Sequence, residues 1–384
     1  MAKPLASLLV IVRLQFLGRQ CSKLKRDPGF GPASASLGAL SFKLHDGLAD
    51  EYDGKTKWGY SRSTASSMMV SSGDKAKTAD WSSNGGSHAQ DAPRGIGNDD
   101  AVQGPAWLSQ RPGDQTENLG EEGSVAQVDP LRLSQFLLQQ SIGKGVRLHQ
   151  PAKAVRVSKN DAGEMSGIRV RHTNGTDHRI PCTRLLITAG AWTPRVFSTL
   201  FPASKIKIGV QQLAGHSLVV KSPRWTKEME KKGCHAVFTT MKNGTSPEIF
   251  SRVGEEIYIA GINDPSTPLP ELSTDATIDK TSIGQLNEIS ERLLGTGTDK
   301  TDLEVVREGI CFRPVTRRGV PILSRIEDKD LGGIKTKPGA DGGVFIAAGH
   351  GPWGISQGIG TGKVMAEMVE GLKLSADVSM LSLE

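Results

Sequence analysis

The feature that most constrains this chain is a glycine-rich stretch near its carboxyl end, residues 343–372. Residues 344–348 are a short run of apolar, β-favouring side chains, which predicts a buried strand. Residues 349–354 hold three glycines and a proline, which predicts a tight loop after the strand. Apolar side chains then recur at helical spacing, at Val364, Met365, Met368, Val369 and Leu372. A strand, a glycine loop and a helix in this order would present backbone N–H groups and a positive helix end to an electron-rich ligand.

Two other interpretations compete for the same stretch. The glycines are also consistent with close packing of the strand against the helix, without any ligand. A nucleotide phosphate loop is excluded, because Gln357 stands where the motif G-x-x-x-x-G-K-[ST] needs its first glycine and Val364 stands where it needs Ser or Thr. The pattern alone therefore leaves ligand contact and pure packing open.

The residues from 347 to 371, AAGHGPWGISQGIGTGKVMAEMVEG, resemble a known flavin-binding segment. They are similar to the carboxyl-terminal part of the D-amino-acid oxidase/glycine oxidase family of FAD-dependent oxidoreductases, and most similar to fungal members with a GHGPWG loop. The resemblance implies that the loop lies against the isoalloxazine ring. It also implies that the next helix points its N-terminus at the flavin N1–C2=O side, where it would stabilise the negative charge of the reduced ring. The implied flavin contacts are Gly349, His350, Gly351, Trp353, Gly354 and Ile355.

A second glycine turn is predicted in residues 184–194, where an apolar strand ends in Ala-Gly-Ala-Trp. This segment resembles the turn that passes under the flavin in the same family, although similar turns occur in many Rossmann-like sheets. The resemblance implies cofactor contacts from Gly190 and Trp192. For Trp192, a place in the hydrophobic core fits the pattern equally well.

Residues 126–141 predict a short strand and a helix, with Asp129 as the N-cap and Pro130 as the first helical residue. Two further strands are predicted, at 146–148 and 154–157. The second of them resembles the family strand that passes the adenine of FAD and contacts it through backbone groups, which implies contacts from Ala154 and Val155. An ordinary sheet strand is equally compatible with this segment.

Residues 305–323, VVREGICFRPVTRRGVPIL, are similar to the family segment in which an arginine before a proline binds the substrate carboxylate. The resemblance assigns that role to Arg313. A guanidinium suits it, because two parallel N–H donors match two carboxylate oxygens. The alternative for Arg313 is a salt bridge on the surface of the sheet. No nucleophile motif, paired carboxylates or metal-ligand pattern accompanies it, so we predict no acid–base or nucleophilic catalytic residue and no metal.

The amino-terminal residues depart from the family pattern. Family members begin with a strand, the motif G-x-G-x-x-G and a helix that together hold the diphosphate of FAD. Residues 1–60 contain no such motif. Residues 1–30 are basic and poor in acids, and we predict an atypical leader that is weakly helical or without regular structure. The chain thus resembles a member whose first βαβ unit is missing or replaced, which puts FAD binding in question.

The predicted fold class is α/β (α+β), with an incomplete Rossmann-like FAD-binding domain and an antiparallel-sheet substrate domain. Residues 37–60 predict a helix with an apolar stripe of Leu40, Leu44, Leu48 and Tyr52. Asn174-Gly175 predicts a hairpin turn. The predicted division is a leader at 1–30, FAD-binding parts at 31–70 and 120–205, a flexible insertion at 71–119, a substrate or cap domain at 206–305, a return to the FAD-binding domain at 306–372 and a tail at 373–384.

Composition limits the possible partners. The net charge of +6 comes without a tight Lys/Arg run among aromatic residues, which argues against nucleic acid binding. The four cysteines are far apart, which argues against a zinc site or a disulfide scaffold and favours a reducing, cytoplasmic setting. A mitochondrial or endosomal association is also compatible with the basic start. No apolar run approaches the ~18 residues that a transmembrane helix needs.

These observations predict an FAD-dependent oxidoreductase that oxidises the C–N bond of an amino acid or related amine, with O2 as the electron acceptor. The alternative is a non-catalytic relative that has lost tight FAD binding and acts in partner binding or trafficking. The absent phosphate loop is the feature that favours this alternative.

Overall fold

The computed structural model describes residues 8–12, 31–70, 104–119, 125–241, 244–297 and 302–383. These residues form three β-sheets with helices packed on them. The strands are β1 (Leu8–Val12), β2 (Ser61–Met69), β3 (Gln115–Asn118), β4 (Val125–Gln127), β5 (Ala152–Lys159), β6 (Met165–His172), β7 (Asp177–Pro181), β8 (Arg184–Thr188), β9 (Val210–Lys221), β10 (Cys234–Thr240), β11 (Glu248–Arg252), β12 (Glu256–Asp264), β13 (Glu304–Thr316), β14 (Ile322–Ile326) and β15 (Gly343–Ala348). The helices are α1 (Pro32–Tyr52), α2 (Gly54–Trp58), α3 (Pro130–Gly143), α4 (Thr193–Leu200), α5 (Lys227–Glu230), α6 (Lys280–Leu294) and α7 (Gly354–Val369).

The first sheet has four strands in the order β1-β8-β15-β14. The strands β1, β8 and β15 run parallel, and β14 is antiparallel to β15. The residues of β15 are all buried, as expected for a strand covered on both faces. Helix α7 covers one face, where Val364 and Met365 pack with Leu186 and Phe345. The predicted strand, loop and helix near the carboxyl end are therefore confirmed, although Leu372 lies beyond the end of α7.

The strand β1 corrects the prediction for the amino-terminal residues. Residues 1–30 were expected to be weakly helical or without regular structure, but Leu8–Val12 pairs in parallel with β8. So short an apolar run does not reveal its conformation by pattern, and the pairing with β8 is what makes it a strand. Residues 1–7 and 13–30 lie outside the described residues.

The second sheet has eight strands, in the order β13-β9-β12-β11-β10-β2-β3 with β4 paired to β2. Its pairs are antiparallel except for β2 and β10, so the predicted antiparallel sheet is largely confirmed. One face is apolar and lies under α6, where Leu218 and Ile259 pack with Leu286. The opposite face also carries buried polar and charged side chains, among them Ser217, Glu248, Arg252, Tyr258 and Arg313.

The third sheet, β5-β6-β7, is antiparallel. The predicted hairpin between β6 and β7 is confirmed, with Gly175 at φ +81°. The predicted strand at 154–157 is confirmed as part of β5. The strand predicted at 146–148 is wrong, because these exposed residues pair with no described strand.

Helix α1 is confirmed, but its buried face is not the predicted one. The predicted apolar stripe is only half-buried, at Leu40, Leu44, Leu48 and Tyr52. The buried face carries mostly small and polar residues, Ser34, Leu37, Gly38, Ser41, His45 and Ala49. These residues let α1 and α7 cross closely: a Cβ at Gly360 of α7 would lie 2.8 Å from the Cβ of Ser41 and 3.0 Å from the carbonyl oxygen of Leu37. Close approach, rather than hydrophobicity, selects this face.

Part of the predicted flexible insertion at 71–119 packs into the protein. Residues 71–103 lie outside the described residues. In 104–119, Trp107 and Leu108 are buried in the core under α6, and the ring of Trp107 meets Trp225 edge-on at 6.4 Å between centroids. The prediction used the low average apolar content of the whole stretch. Burial of a few large apolar side chains is enough to hold its carboxyl-terminal part against the core.

The predicted start of α3 is confirmed. The side chain of Asp129 accepts hydrogen bonds from the backbone N–H groups of Leu131 and Arg132, at 3.0 and 3.2 Å, and Pro130 is the first residue of α3. This is the predicted N-cap. Across the described ranges, none of the helices combines the length and the apolar character that a membrane crossing demands.

Candidate functional site

Two parallel strands of the first sheet end in glycine turns. The strand β8 leads through the turn Gly190–Trp192 into α4, and β15 leads through the turn Gly351–Trp353 into α7. Both turns contact β13 of the second sheet. Ligands of α/β sheets bind outside the carboxyl ends of the parallel strands, so this junction is the candidate site.

The turn after β15 is closely packed. Gly349 and Gly351 have φ values of +83° and +55°, which other residues rarely adopt. A Cβ at Gly349 would lie 2.5 Å from Thr316 Cγ2, whereas a Cβ at Gly351 would lie 3.9 Å from Val315 Cγ1, an ordinary contact. Close packing therefore accounts for Gly349, while Gly351 has room beside it.

The turn after β8 is open. Gly190 has a φ of +56°, and no described atom lies within 4 Å of a Cβ built there. The neighbouring Trp192 is 1 % exposed, donates from Nε1 to the carbonyl oxygen of Pro270 at 2.8 Å, and meets the ring of Phe312 edge-on. The indole thus lies in the core, as the alternative interpretation predicted, and any cofactor contact at Trp192 would come from its backbone.

His350 is half-buried and lies against α7. Its Nε2 is 2.9 Å from Thr361 Oγ1, and burial lowers its pKa to about 4. The ring is therefore uncharged at neutral pH. Its contact with Thr361 links the turn to α7.

His45 was missed in the sequence. Its Nε2 donates to the carbonyl oxygen of Ile355 at 3.0 Å, so α1 holds the first turn of α7 in place. Burial lowers the pKa of His45, and its Nδ1 has no partner among the described residues. Its position four residues after Ser41 indicates that both side chains lie on one face of α1, but nothing in the sequence shows that this face contacts α7.

Gln357 of α7 is fully buried, and neither its amide nitrogen nor its amide oxygen has a partner among the described residues. Leaving a buried polar group without a hydrogen bond costs about 1–3 kcal/mol. Such a group is expected to bond to a bound molecule or an ordered water.

Arg313 lies on β13 and is only 8 % exposed. Its Nη1 donates a hydrogen bond to Asn263 Oδ1. It is two residues from Val315, so both point to the same face of the sheet, and Val315 is the residue beside Gly351. The side chain of Arg313 is therefore largely shielded from solvent.

The comparison with protein families decides the family of the chain. The model of the FAD dependent oxidoreductase family (DAO) matches residues 25–368. The chain belongs to this family.

Two yeast proteins are among the relatives of this DAO-family chain. The candidate oxidoreductase C1F5.03c of Schizosaccharomyces pombe is 26 % identical over 374 residues, which cover 92 % of this chain and 83 % of that protein. The candidate oxidoreductase TDA3 of Saccharomyces cerevisiae is 22 % identical over 311 residues, covering 72 % of this chain and 54 % of TDA3.

Solved structures show the same DAO fold. Glycine oxidase from Geobacillus kaustophilus superposes with a TM-score of 0.68 at 18 % identity, covering 98 % of this chain and 92 % of that one. Iminodiacetate oxidase from Chelativorans sp. BNC1 gives 0.67 at 17 %, covering 97 % and 92 %. L-proline dehydrogenase from P. horikoshii gives 0.65 at 12 %, covering 95 % and 85 %. At these identities the likeness establishes the fold alone.

The residues at the candidate site fit the ring end of the family cofactor. The positive end of α7 follows the β15 turn, Gly190 borders open space, and Gln357 offers an unpaired amide in the same helix. At the predicted adenine end, β5 is the edge strand of the third sheet, and its register with β6 shifts between Ala154 and Arg156, so Val155 has no residue opposite it. Backbone groups of Ala154 and Val155 at such an edge suit the predicted contacts.

The diphosphate end does not carry the family motif. The strand β1 ends at Val12, and the next six residues read RLQFLG instead of a G-x-G-x-x-G loop. Residues 13–30 lie outside the described residues. The described residues thus fit FAD at the ring end, whereas the residues after β1 depart from the family pattern at the diphosphate end.

Proposed function

We propose that this protein oxidises the C–N bond of an amino acid or related amine, using FAD, and that O2 accepts the electrons. The observation that carries the proposal is the position of Arg313. It is a buried guanidinium on the sheet face that the β15 turn contacts through Val315. A cation in that place suits a substrate with a carboxylate next to its amine.

The residues divide the work between binding and orientation. The turn from Gly349 to Ile355 and the backbone at Gly190 would hold the ring of FAD, which when bound supplies a two-electron acceptor. Arg313 would bind the substrate carboxylate and so fix the carbon that carries the amine. His350 keeps its ring neutral and holds the turn against α7. Orientation of this kind lowers a reaction barrier without an acid–base pair.

The alternative, a relative without flavin that serves partner binding, is less well supported. The family match spans residues 25–368, which supports an FAD-dependent function. Measuring the visible flavin absorbance of the purified protein, before and after incubation with FAD, separates the two. A protein that stays colourless after incubation with excess FAD would contradict the proposed function.

Replacing Arg313 tests the substrate role. We expect Arg313→Ala to raise KM about a hundred-fold, because it removes the charged partner of a buried carboxylate, while FAD content is unchanged. The control is Arg317→Ala, an exposed arginine four residues along the chain, which should leave KM unchanged. Equal KM values for the two variants would remove Arg313 from the site.

The acceptor is tested separately. In air, turnover should consume O2 and release hydrogen peroxide in amounts that match the keto acid or aldehyde formed. Turnover that needs an artificial dye and produces no peroxide would keep the oxidoreductase assignment but exclude O2 as the acceptor.

A further inference from the structure

The strand β12 has a bulge at Gly261 that changes the face to which the following residues point. Ala260 lies opposite Ser217 of β9, whereas Asn263 lies opposite Gly215. Ser217 and Gly215 are two residues apart and share a face, so Asn263 shares the face of Ala260 although three positions separate them. In a regular strand Asn263 would point to the face under α6.

This bulge depends on glycine. Gly261 has a φ of +136°, and a Cβ there would lie 2.6 Å from Pro247 Cα and 2.8 Å from the carbonyl oxygen of Ser246. Both the backbone conformation and the space exclude a side chain. Bulges are common next to active sites because they redirect a side chain. Here the redirected side chain is Asn263.

Asn263 and Arg313 meet above the central strand between them. The strands β12 and β13 flank β9, and the Nη1 of Arg313 donates to Asn263 Oδ1 across Gly215. A Cβ at Gly215 would lie 2.9 Å from Asn263 Oδ1 and 3.2 Å from Arg313 Nη1. Any side chain at position 215 would therefore push the two groups apart.

We propose that Asn263 is a positioning residue, which fixes the plane of the Arg313 guanidinium for binding the substrate carboxylate. The proposal rests on the substrate role of Arg313 in the proposed function. A two-pronged hydrogen bond to a carboxylate needs a fixed guanidinium plane. An amide oxygen provides an acceptor without a charge of its own, whereas a carboxylate at position 263 would compete with the substrate for the guanidinium.

The test uses the holoenzyme and benzoate, a carboxylate that has no amine to oxidise, with calorimetry as the readout. Asn263→Ala should weaken benzoate binding about ten-fold, the usual effect of losing a hydrogen bond to a charged group. Asn263→Asp keeps an oxygen in place but should weaken binding about a hundred-fold, because its charge competes with the ligand. Binding of benzamide, which carries no charge, should be the same in all variants.

A second variant disturbs the hydrogen bond between Asn263 and Arg313 without replacing either residue. Gly215→Ala should weaken benzoate binding about ten-fold by separating Asn263 from Arg313. Asn287→Ala, a half-buried asparagine of α6 on the other face of the sheet, is the control and should leave binding unchanged. Melting temperatures and FAD content show that each variant is folded and loaded.

A double-mutant cycle shows whether Asn263 acts through Arg313. In an Arg313→Ala background, the added Asn263→Ala should change benzoate binding less than two-fold. A ten-fold loss in both backgrounds would overturn the proposal, as would an Asn263→Ala variant that binds benzoate like the parent protein. If Arg313→Ala itself leaves benzoate binding unchanged, the proposed substrate role has failed, and the proposal for Asn263 fails with it.

Discussion

The two glycine turns follow parallel strands of the same sheet and lead into helices, yet they need glycine for different reasons. At Gly190 only the backbone angle calls for glycine, and the space beside it is open among the described residues. At Gly349 a similar backbone angle is combined with steric crowding, because a Cβ there would lie 2.5 Å from Thr316 Cγ2. Glycine in a turn after a strand therefore does not by itself indicate a ligand. Gly190, in the open turn, has room beside it for a ligand. Gly349, in the closed turn, packs against Thr316 and joins the two sheets, which is a structural role in addition to the ligand contacts proposed for that turn.

The largest expected effect is on the closed turn. Gly349→Ala should destabilise the protein by about 2–5 kcal/mol, because it adds left-handed strain to a steric clash with Thr316. Urea unfolding at neutral pH measures the loss. The control is Gly358→Ala, an exposed glycine inside α7 with free space around it, which should stabilise the protein by about 0.5–1 kcal/mol.

Removing the methyl group of Thr316 should lower the stability cost of an alanine at position 349 to the cost expected at position 190. Thr316→Ser deletes the clashing methyl group and keeps the hydroxyl that donates to the carbonyl oxygen of Val320 at 2.7 Å. Combined with Gly349→Ala, it should reduce the loss to the strain alone, about 1–2 kcal/mol relative to Thr316→Ser. A combined variant that remains as unstable as Gly349→Ala would show that the methyl group is not the cause.

A smaller effect is expected at the open turn. Gly190→Ala should cost about 1–2 kcal/mol of stability in the protein without cofactor, because only the backbone angle resists the change. A methyl group in that space should weaken FAD binding, measured by titration of the apoprotein and followed by flavin fluorescence. A loss of stability equal to that of Gly349→Ala, with unchanged FAD affinity, would break the distinction between the two turns.

The smallest effect concerns His350 in the closed turn. Its pKa falls from 6.5 to about 4 on burial, so the unfolded chain binds the proton more readily than the folded protein between these values. Stability should therefore fall as the pH drops from about 6.5 towards 4, and His350→Asn should reduce this loss by less than about 1 kcal/mol, since the half-buried ring is partly screened by solvent. Unfolding midpoints from pH 7.5 to 4.5 measure it, with His178→Asn, an exposed histidine of the hairpin, as the control. Identical pH profiles for the His350 variant and the parent would contradict the assignment.

The sequence predicted those features that are decided by residues close together in the chain. The N-cap at Asp129 and the hairpin at Asn174-Gly175 were correct because each is decided by residues within a few positions of one another. The strand β1, the buried face of α1 and the packing of Trp107 were not, because each depends on a partner elsewhere in the chain.

The candidate site shows the same limit. Its turns and Arg313 lie in motifs that can be read along the chain. Asn263, His45 and Gln357 have no local signature. Asn263 matters through a bulge that reverses its face, His45 through the contact of α1 with α7, and Gln357 through burial without a partner among the described residues. Side chains that act across strands or helices become visible only when the register is known.

The pairing of β15 with β8 has a consequence for biogenesis. Gly343 lies opposite Arg184, so this pair of neighbouring strands joins residues that are far apart in the chain. During translation β8 leaves the ribosome long before β15 is synthesised, so the edge of β8 that pairs with β15 stays unpaired in the meantime. Pairings of such high contact order form slowly and expose the nascent chain to misassembly. The candidate site at the two turns is therefore completed late, and chaperone binding to β8 would be most useful in the interval before β15 is made.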